Sequence, residues 1–430
     1  MSLRPLRIVL VEFSPSGGLF QFSFEMGTAL AQAGHTVTLL TGPDPEFTST
    51  VAGFDVAPVL PTWHPGAGVE PSLVRKARRG VRALRHVAAW ASVARFVRET
   101  RPDVLQWSEW RFALDGLLAS AVASRRWAGI CADLAHSPIP LEEQRGGSGP
   151  YRQGRLLYRG LGRGYLAMDA VMVLGSRSRA ELLDAWPEVQ RVEVIPHGDL
   201  RTLAHDEPAA AGDCPERVVL FGALTGYKGI DVLLEAFTRI RSARPSATLL
   251  IAGPVVGDLN VAEMQMRAAA VEGVEFSPGY VPADDVARLV GGARLVAAPY
   301  TRSNSSGVVR LAQTLARPVV ATDVGDLSGS VKDGETGLVV RPGDPEGLAE
   351  AVIRLLGDPR LATRMGAEGR RQLFAESSWE LAAGRLVSIY RSALDITAEG
   401  RLSSIPSADP AAIRTSGPGH RVGAPPAPPA

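Results

Sequence analysis

Two cysteines in 430 residues, Cys131 and Cys214, are too few and too far apart for a disulfide framework or a cysteine metal site. Their scarcity suits a reducing compartment. Charge of one sign is also lacking: 46 Lys and Arg stand against 45 Asp and Glu, a formal net charge of +1. That balance gives no general pull toward nucleic acid, so any anion must be held by local charge. No apolar run reaches the ~18 residues needed to cross a bilayer. The N-terminal MSLRPLRIVLVEF has a short apolar stretch but no longer h-region with a cleavage site. A soluble, cytoplasmic protein is the expectation. No Asp-x-Asp pattern or other metal-ligand spacing follows a strand in the motifs below, so neither metal nor cofactor is expected.

What is present is the material of two domains. A chain of 430 residues with 45% hydrophobic and 21% charged content suits two globular cores plus an extra segment. Residues 6–11 (LRIVLV) read as a strand buried on both faces of a parallel sheet. A Gly-bearing loop at 14–18 follows, then an apolar-periodic helix at 20–32, Gly34, and a second strand at 36–41. The alternation continues through strands at 103–107, 129–136, 170–176 and 192–198, with helices near 112–125 and from Arg177. It stops at 201–216 (RTLAHDEPAAAGDCPE), read as a linker. It restarts with a strand at 217–224, a helix at 229–245 and strands at 247–253, 274–281, 293–300, 317–325 and 337–344.

The expected division is therefore an N-terminal Rossmann-like domain over 1–200, the linker, a C-terminal Rossmann-like domain over 217–375, a helix over 376–395 and a disordered tail over 396–430. Two α/β halves imply a cleft between them, with ligands beyond the carboxyl ends of the strands. The tail ends GAPPAPPA and cannot bury enough apolar surface to offset its ordering entropy.

Several loops carry candidate chemistry. Lys228 and Gly229 follow the first strand of the second half and open a helix, whose free amides and partial positive charge suit a diphosphate. A solvated lysine in a turn is the plainer alternative. Asn304, Ser305, Ser306 and Gly307 lead into another helix; small residues let backbone amides approach a phosphate, although an ordinary N-capping cluster has the same composition. Gly17 and Gly18 after the first strand allow a sharp turn and close approach to a ligand, or turn geometry alone. His136 ends the strand 129–136 and faces the presumed cleft, whereas His197 is read as shaping the hinge.

Residues 74–101 hold nine Arg and Lys against one Glu, with Leu73, Ala77, Val81, Leu84, Ala88 and Ala91 at helical spacing. Two readings stand: a basic amphipathic helix on an anionic membrane, or a helix packed on the sheet with solvated arginines. Arg145, Arg152, Arg155, Arg159 and Arg163 form a second basic run, read as a mobile acceptor loop. No aromatic stacking platform accompanies these arginines, so no nucleic-acid partner is expected.

Four stretches in order resemble the family-4 retaining glycosyltransferases of GT-B fold. They are the Gly17-Gly18 loop with the following LAQAGHTVTLLT, VEVIPHG (192–198), FGALTGYKGIDVLLEAF (221–237), and the long segment 298–352. The resemblance implies an α/β GT-B fold of two Rossmann-like domains, with the C-terminal helix packing back toward the first. It further implies a nucleotide-sugar donor, a glycan, lipid-linked or natural-product acceptor, and retaining transfer without a metal. Donor contacts would fall to Gly17, Gly18, Gly222, Lys228, Gly229, Asn304, Ser305, Ser306 and Gly307, with His136 and Lys228 acting on the reacting groups.

The chain departs from the family pattern at three places. A usual glutamate pair reads Ser303 and Leu311, a usual arginine before the lysine is missing from Ala223-Leu224-Thr225-Gly226, and a usual Gly-Gly-x-x-Glu reads Gly325-Asp326-Leu327-Ser328-Gly329. Asn304, Ser305 and Asp326 are the candidates to replace those contacts. The alternatives are a catalytically inactive GT-B protein with a binding role, and a sugar-nucleotide epimerase, which expects cleft carboxylates that the motifs do not supply.

Overall fold

A computed structural model describes residues 4–64, 72–110, 112–139, 155–204, 207–256, 259–303 and 305–403. In the first half, β1 (Arg7–Val11), α1 (Gly18–Gln32), β2 (Thr36–Leu40), β3 (Phe54–Ala57), α2 (Ser72–Thr100) and β4 (Val104–Trp107) come first. They are followed by α3 (Ala113–Ser124), β5 (Ile130–Ala135), α4 (Arg155–Leu166), β6 (Ala170–Val173), α5 (Ser176–Ala185) and β7 (Val192–Val194). The strands form one sheet in the order β3-β2-β1-β4-β5-β6-β7, and every pairing is parallel.

The second half runs β8 (Arg217–Phe221), α6 (Ile230–Ala243), β9 (Thr248–Gly253), α7 (Val261–Ala269), β10 (Val274–Pro278), α8 (Ala283–Gly291) and β11 (Leu295–Ala298). Then come α9 (Gly307–Thr314), β12 (Val319–Thr322), β13 (Gly337–Val340), α10 (Pro345–Gly357), α11 (Pro359–Glu376) and α12 (Trp379–Ser403). Its sheet order is β10-β9-β8-β11-β12-β13, again parallel. In each sheet the order reverses at one place, between β1 and β4 and between β8 and β11. Ligands of open parallel sheets bind at such switch points.

The strands are apolar on both faces because helices cover both. Ile8 and Leu10 pack toward α1 and α12, whereas Val9 and Val11 pack toward the α2 side. Helix α12 closes the first domain from the far end of the chain. Trp379, Leu386, Ile389 and Tyr390 sit in one buried cluster with Phe22, Met26 and Leu134. The Trp379 indole donates to the Asp199 carbonyl at 2.6 Å, and Tyr390 shares a short hydrogen bond with Gln106.

Three expectations shift. The helix expected over 376–395 runs from Trp379 to Ser403, so the tail cannot begin at 396; residues 404–430 lie outside the described ones. The edge strand β3 was not anticipated, because FDVA is short and interrupted by Asp55. Arg159 and Arg163 belong to α4, not to an acceptor loop. Gly160 lets that helix pack closely on α3: a Cβ on it would stand 2.3 Å from the Ala113 carbonyl oxygen, and one on Gly116 of α3 would stand 2.0 Å from the Gly160 carbonyl oxygen. Arg145 and Arg152 lie outside the described residues.

The chain crosses between domains at Gly198, where only a hydrogen fits. A Cβ there would meet the Trp379 ring at 2.2 Å. We predict that Gly198→Ala lowers stability by roughly 1–3 kcal/mol, the cost typical of overpacking. Chemical denaturation checks this, and an unchanged midpoint would show that α12 is not clamped here.

Candidate active site

The second domain's switch point holds Lys228. After β8 the chain makes a single 3-10 turn, Gly226–Lys228, then Gly229 adopts the left-handed conformation (φ 67°) and α6 begins. Lys228 thus closes the turn before the helix rather than sitting inside it. Gly229 is required twice, by its positive φ and because a Cβ would lie 1.9 Å from the Pro299 carbonyl oxygen. That close approach ties the β8 loop to the β11 loop, as does the Thr301 amide donating to the Tyr227 carbonyl at 2.8 Å.

Lys228 is buried at 6% exposure. Its Nζ donates to the Tyr300 hydroxyl at 2.7 Å and lies 4.0 Å from that ring's centroid. Among the described residues it makes no ion pair. A buried ammonium with only a phenol for company is expensive to keep unless an anion joins it. Gly222 leaves room beside it: a Cβ on Gly222 would stand 3.8 Å from Lys228 Nζ and 2.9 Å from Val308 in the first turn of α9.

Ser306 occupies the cap position of α9 with extended backbone, yet its side chain accepts from no first-turn amide. The plain capping role considered for the Asn304–Gly307 cluster is therefore absent at Ser306, and α9 begins beside Lys228, since Val308 and the Lys228 ammonium both flank Gly222. Asn304 lies outside the described residues.

From the first domain, His136 ends β5 with its ring edge-on to Phe22, centroids 4.5 Å apart. His197 stacks edge-on to the same Phe22 at 4.9 Å, and its Nε2 lies 3.5 Å from where a Gly307 Cβ would be. Burial foremost, with the Arg310 charge adding, pushes the His197 pKa down to about 4. The ring is thus neutral near pH 7, and its Nδ1–H donates to the Gly198 carbonyl at 2.9 Å. His197 was read only as a hinge residue; the strand order that carries it to α9 is not visible in one sequence.

Gly17 and Gly18 are placed differently. The Gly17 amide donates to Glu46 Oε2 at 3.0 Å, and Tyr280 from the second domain bonds the other Glu46 oxygen. Through Glu46 the loop is thus set against the second domain, and a Cβ on Gly17 or Gly18 would meet nothing within 4 Å. Of the departures from the family pattern, Leu311 is explained by packing, since it sits in the second domain's core. Ser303 is buried.

Asp326 is not a free sugar contact. It accepts from the Arg177 amide at 2.9 Å, the Ser178 amide at 3.0 Å and the Ser178 hydroxyl at 2.6 Å. Gly175 precedes α5 without a side chain, and a Cβ there would strike Asp326 at 2.0 Å. A carboxylate of one domain thus caps a helix of the other.

Two family models match the chain: Glycosyltransferase Family 4 over residues 16–198 and Glycosyl transferases group 1 over 215–358. The chain is 28% identical to a D-inositol 3-phosphate glycosyltransferase of Frankia alni over 88% of its own length and 95% of the relative's. It is 33% identical to the Segniliparus rotundus protein of that name over 55% of its own length, which spans only 56% of that relative. Among solved structures, sucrose-phosphate synthase from Thermosynechococcus elongatus superimposes with a TM-score of 0.70 at 21% identity, covering 91% of this chain and all of that one. An Anabaena protein solved with UDP and glucose gives 0.65 at 15% identity, covering 90% of this chain and all of that one. These likenesses bear out the two-domain fold.

The capping bonds generate a prediction. Asp326→Ala removes them and should lower stability by about 1–2 kcal/mol, with a larger radius of gyration in small-angle X-ray scattering and unchanged circular dichroism. An unchanged scattering profile would show that Asp326 does not hold the domains together.

Proposed function

We propose, from the two glycosyltransferase models that the chain matches, that it is a family-4 glycosyltransferase, which moves a sugar from a nucleoside diphosphate to a hydroxyl of its acceptor, with retention and without a metal. One observation carries the reading: the buried Lys228 ammonium, unopposed by any carboxylate among the described residues, beside the uncapped first turn of α9. A donor diphosphate supplies the missing negative charge. Gly222 and Gly229 keep the corner open, and Ser305, Ser306, Gly307 and Asn304 are the proposed phosphate loop. Structures solved with UDP and UDP-glucose share the fold and support this class of donor.

In the proposed step the anomeric carbon–phosphate oxygen bond breaks and a bond to the acceptor hydroxyl oxygen forms on the same face. The hydroxyl proton passes to the departing diphosphate oxygen. Lys228 and the α9 amides stabilise the growing charge on that diphosphate. His136, within reach of the junction through Phe22, orients the sugar. No enzymatic nucleophile is invoked. A catalytically silent binder would share the donor pocket but would leave the donor intact.

Thermal-shift titration with UDP, GDP and dTDP tests the pocket, since a ligand that binds only the folded state raises the melting temperature. One of the three should stabilise the wild type, and Lys228→Ala should weaken it about 10–100-fold, the worth of a charge-assisted bond. Equal binding by the variant would remove the basis of the proposal. Slow hydrolysis of the matching nucleotide-sugar separates enzyme from silent binder, and an inverted anomeric centre in the NMR spectrum of the product would contradict retention.

We further propose a cytoplasmic protein that touches an anionic membrane through α2. Its buried face is His86, Ala89, Trp90, Val93 and Val97, whereas Val81, Leu84 and Val87 face outward at 55%, 74% and 47% exposure beside the exposed Arg85. Among the described residues no helix is long and apolar enough to cross a membrane. Co-sedimentation with phosphatidylserine vesicles should be lost in Leu84→Glu. Equal sedimentation of both proteins, or none by the wild type, would refute the membrane contact.

A further inference from the structure

Exposed apolar side chains are not spread evenly over this molecule. Of the fifteen large hydrophobic residues exposed among the described ones, nine fall on three helices: three on α2, three on α3 with its N-cap Phe112, and three on α4. Leu84 and Leu156 are the most exposed of the fifteen, at 74% and 73%. The three helices belong to one layer. Trp90 of α2, Ala119 and Val122 of α3, and Leu161 and Tyr165 of α4 pack in one cluster under the same face of the sheet, and the Trp90 indole donates to Asp115 of α3 at 2.9 Å. Their outward sides therefore make one face, and an apolar face of that extent marks a contact surface.

Its charge says what it contacts. The three helices contain two acids: Asp115 is buried, and Glu99 pairs with Arg95 at 3.1 Å. Arg85, Arg159 and Arg163 stand exposed on the same helices. Apolar side chains interleaved with arginines suit the interface of an anionic bilayer, where the cations meet lipid phosphate and carboxylate. A second copy placed symmetrically on this face would set arginine against arginine.

A cavity of about 110 Å³ lies beyond β1 and β4, at the edge of this face. Phe112 belongs to both: it is 52% exposed, and with His86, to which its ring is edge-on at 5.2 Å, it forms part of the cavity wall. The lining also includes Ser14, Thr62 and Glu109. Thr62 is 3% exposed, and its hydroxyl has no hydrogen-bond partner. A buried hydroxyl left in that state favours a ligand that can bond it. Glu109 Oε2 accepts the amides of His136 and Ser137 at 2.8 and 3.2 Å, which sets the cavity beside the end of β5.

We propose that the face of α2, α3 and α4 lies on an anionic bilayer and that the acceptor is an amphiphile drawn from it. The hydroxyl-bearing head enters the cavity and bonds Thr62, while the hydrocarbon chain stays over Phe112 on the apolar face. One hydroxyl of the head is the nucleophile of the transfer described above. This rests on the transferase reading and adds the class of acceptor; it also extends the membrane contact from one helix to three.

Calorimetric titration in the presence of the stabilising nucleotide tests it, with octyl β-D-glucoside and methyl β-D-glucoside as probes, both below micellar concentrations. The octyl compound should bind at least about 10-fold tighter, since several methylenes leave water, and Phe112→Ser should narrow that gap. Thr62→Val should weaken octyl glucoside about 3–10-fold, the worth of one hydrogen bond, without lowering the denaturation midpoint. Leu114→Glu, on α3, should reduce co-sedimentation with mixed phosphatidylserine–phosphatidylcholine vesicles, and phosphatidylcholine alone should not retain the wild type. Equal binding of the two glucosides, no binding of the octyl compound, undiminished binding by Thr62→Val, undiminished sedimentation of Leu114→Glu, or a dimer in solution that Leu114→Glu dissolves would each overturn the proposal. If the nucleotide binds in those cases, the transferase reading survives; if no nucleotide binds the wild type, that reading falls and this one with it.

Discussion

A positive charge withdrawn from water must be answered by a negative one, and the second domain answers Lys228 with nothing but a phenol hydroxyl and a ring. The donor site proposed for this molecule follows from that imbalance. The cost of desolvating an ammonium is several kcal/mol when uncompensated, and in the proposed reading an anion offsets it in the corner formed by Gly222, Gly229, Tyr300 and the first turn of α9. The first domain's own switch point holds a cavity lined in part by Glu12, Glu109 and Asp115, with Asp133 buried on the neighbouring strand β5.

The contacts between domains fix how these two sites approach. Asp326 reaches from one domain to cap α5 of the other, Tyr280 bonds Glu46, and Trp379 locks the crossing at Gly198 and Asp199. His197 is buried and neutral where the crossing meets α9. Carboxylates normally placed for sugar and ribose have given way here to Leu311, which fills a core, and to Ser303. Asp326, one of the three residues considered as substitutes, is engaged at the start of α5. In the proposed reading, donor recognition therefore leans more heavily on Lys228 and backbone amides than the family pattern suggests.

Much of this was legible in the sequence. Continuous apolar runs such as LRIVLV and ATLLIAG mark strands buried on both faces, and the restart after residue 216 marks the second domain. Lys228 stood out because a lysine and glycine after a strand place charge at a helix start. Three things were hidden. The stripe of α2 that packs inward, His86 to Val97, competes with an equally apolar outward stripe, and periodicity cannot say which the sheet covers. The acidic cavity is assembled from residues 12, 63, 86, 109 and 115, which no local motif unites. Gly175 and Asp326 are unremarkable apart and become a helix cap only when two domains meet.

The account stands most directly on where a diphosphate lies. A crystal structure with the nucleotide that stabilises the protein should place phosphate oxygens within hydrogen-bonding distance of Lys228 Nζ and of the amides at the start of α9. A diphosphate bound elsewhere, with Lys228 still held only by Tyr300, would contradict it.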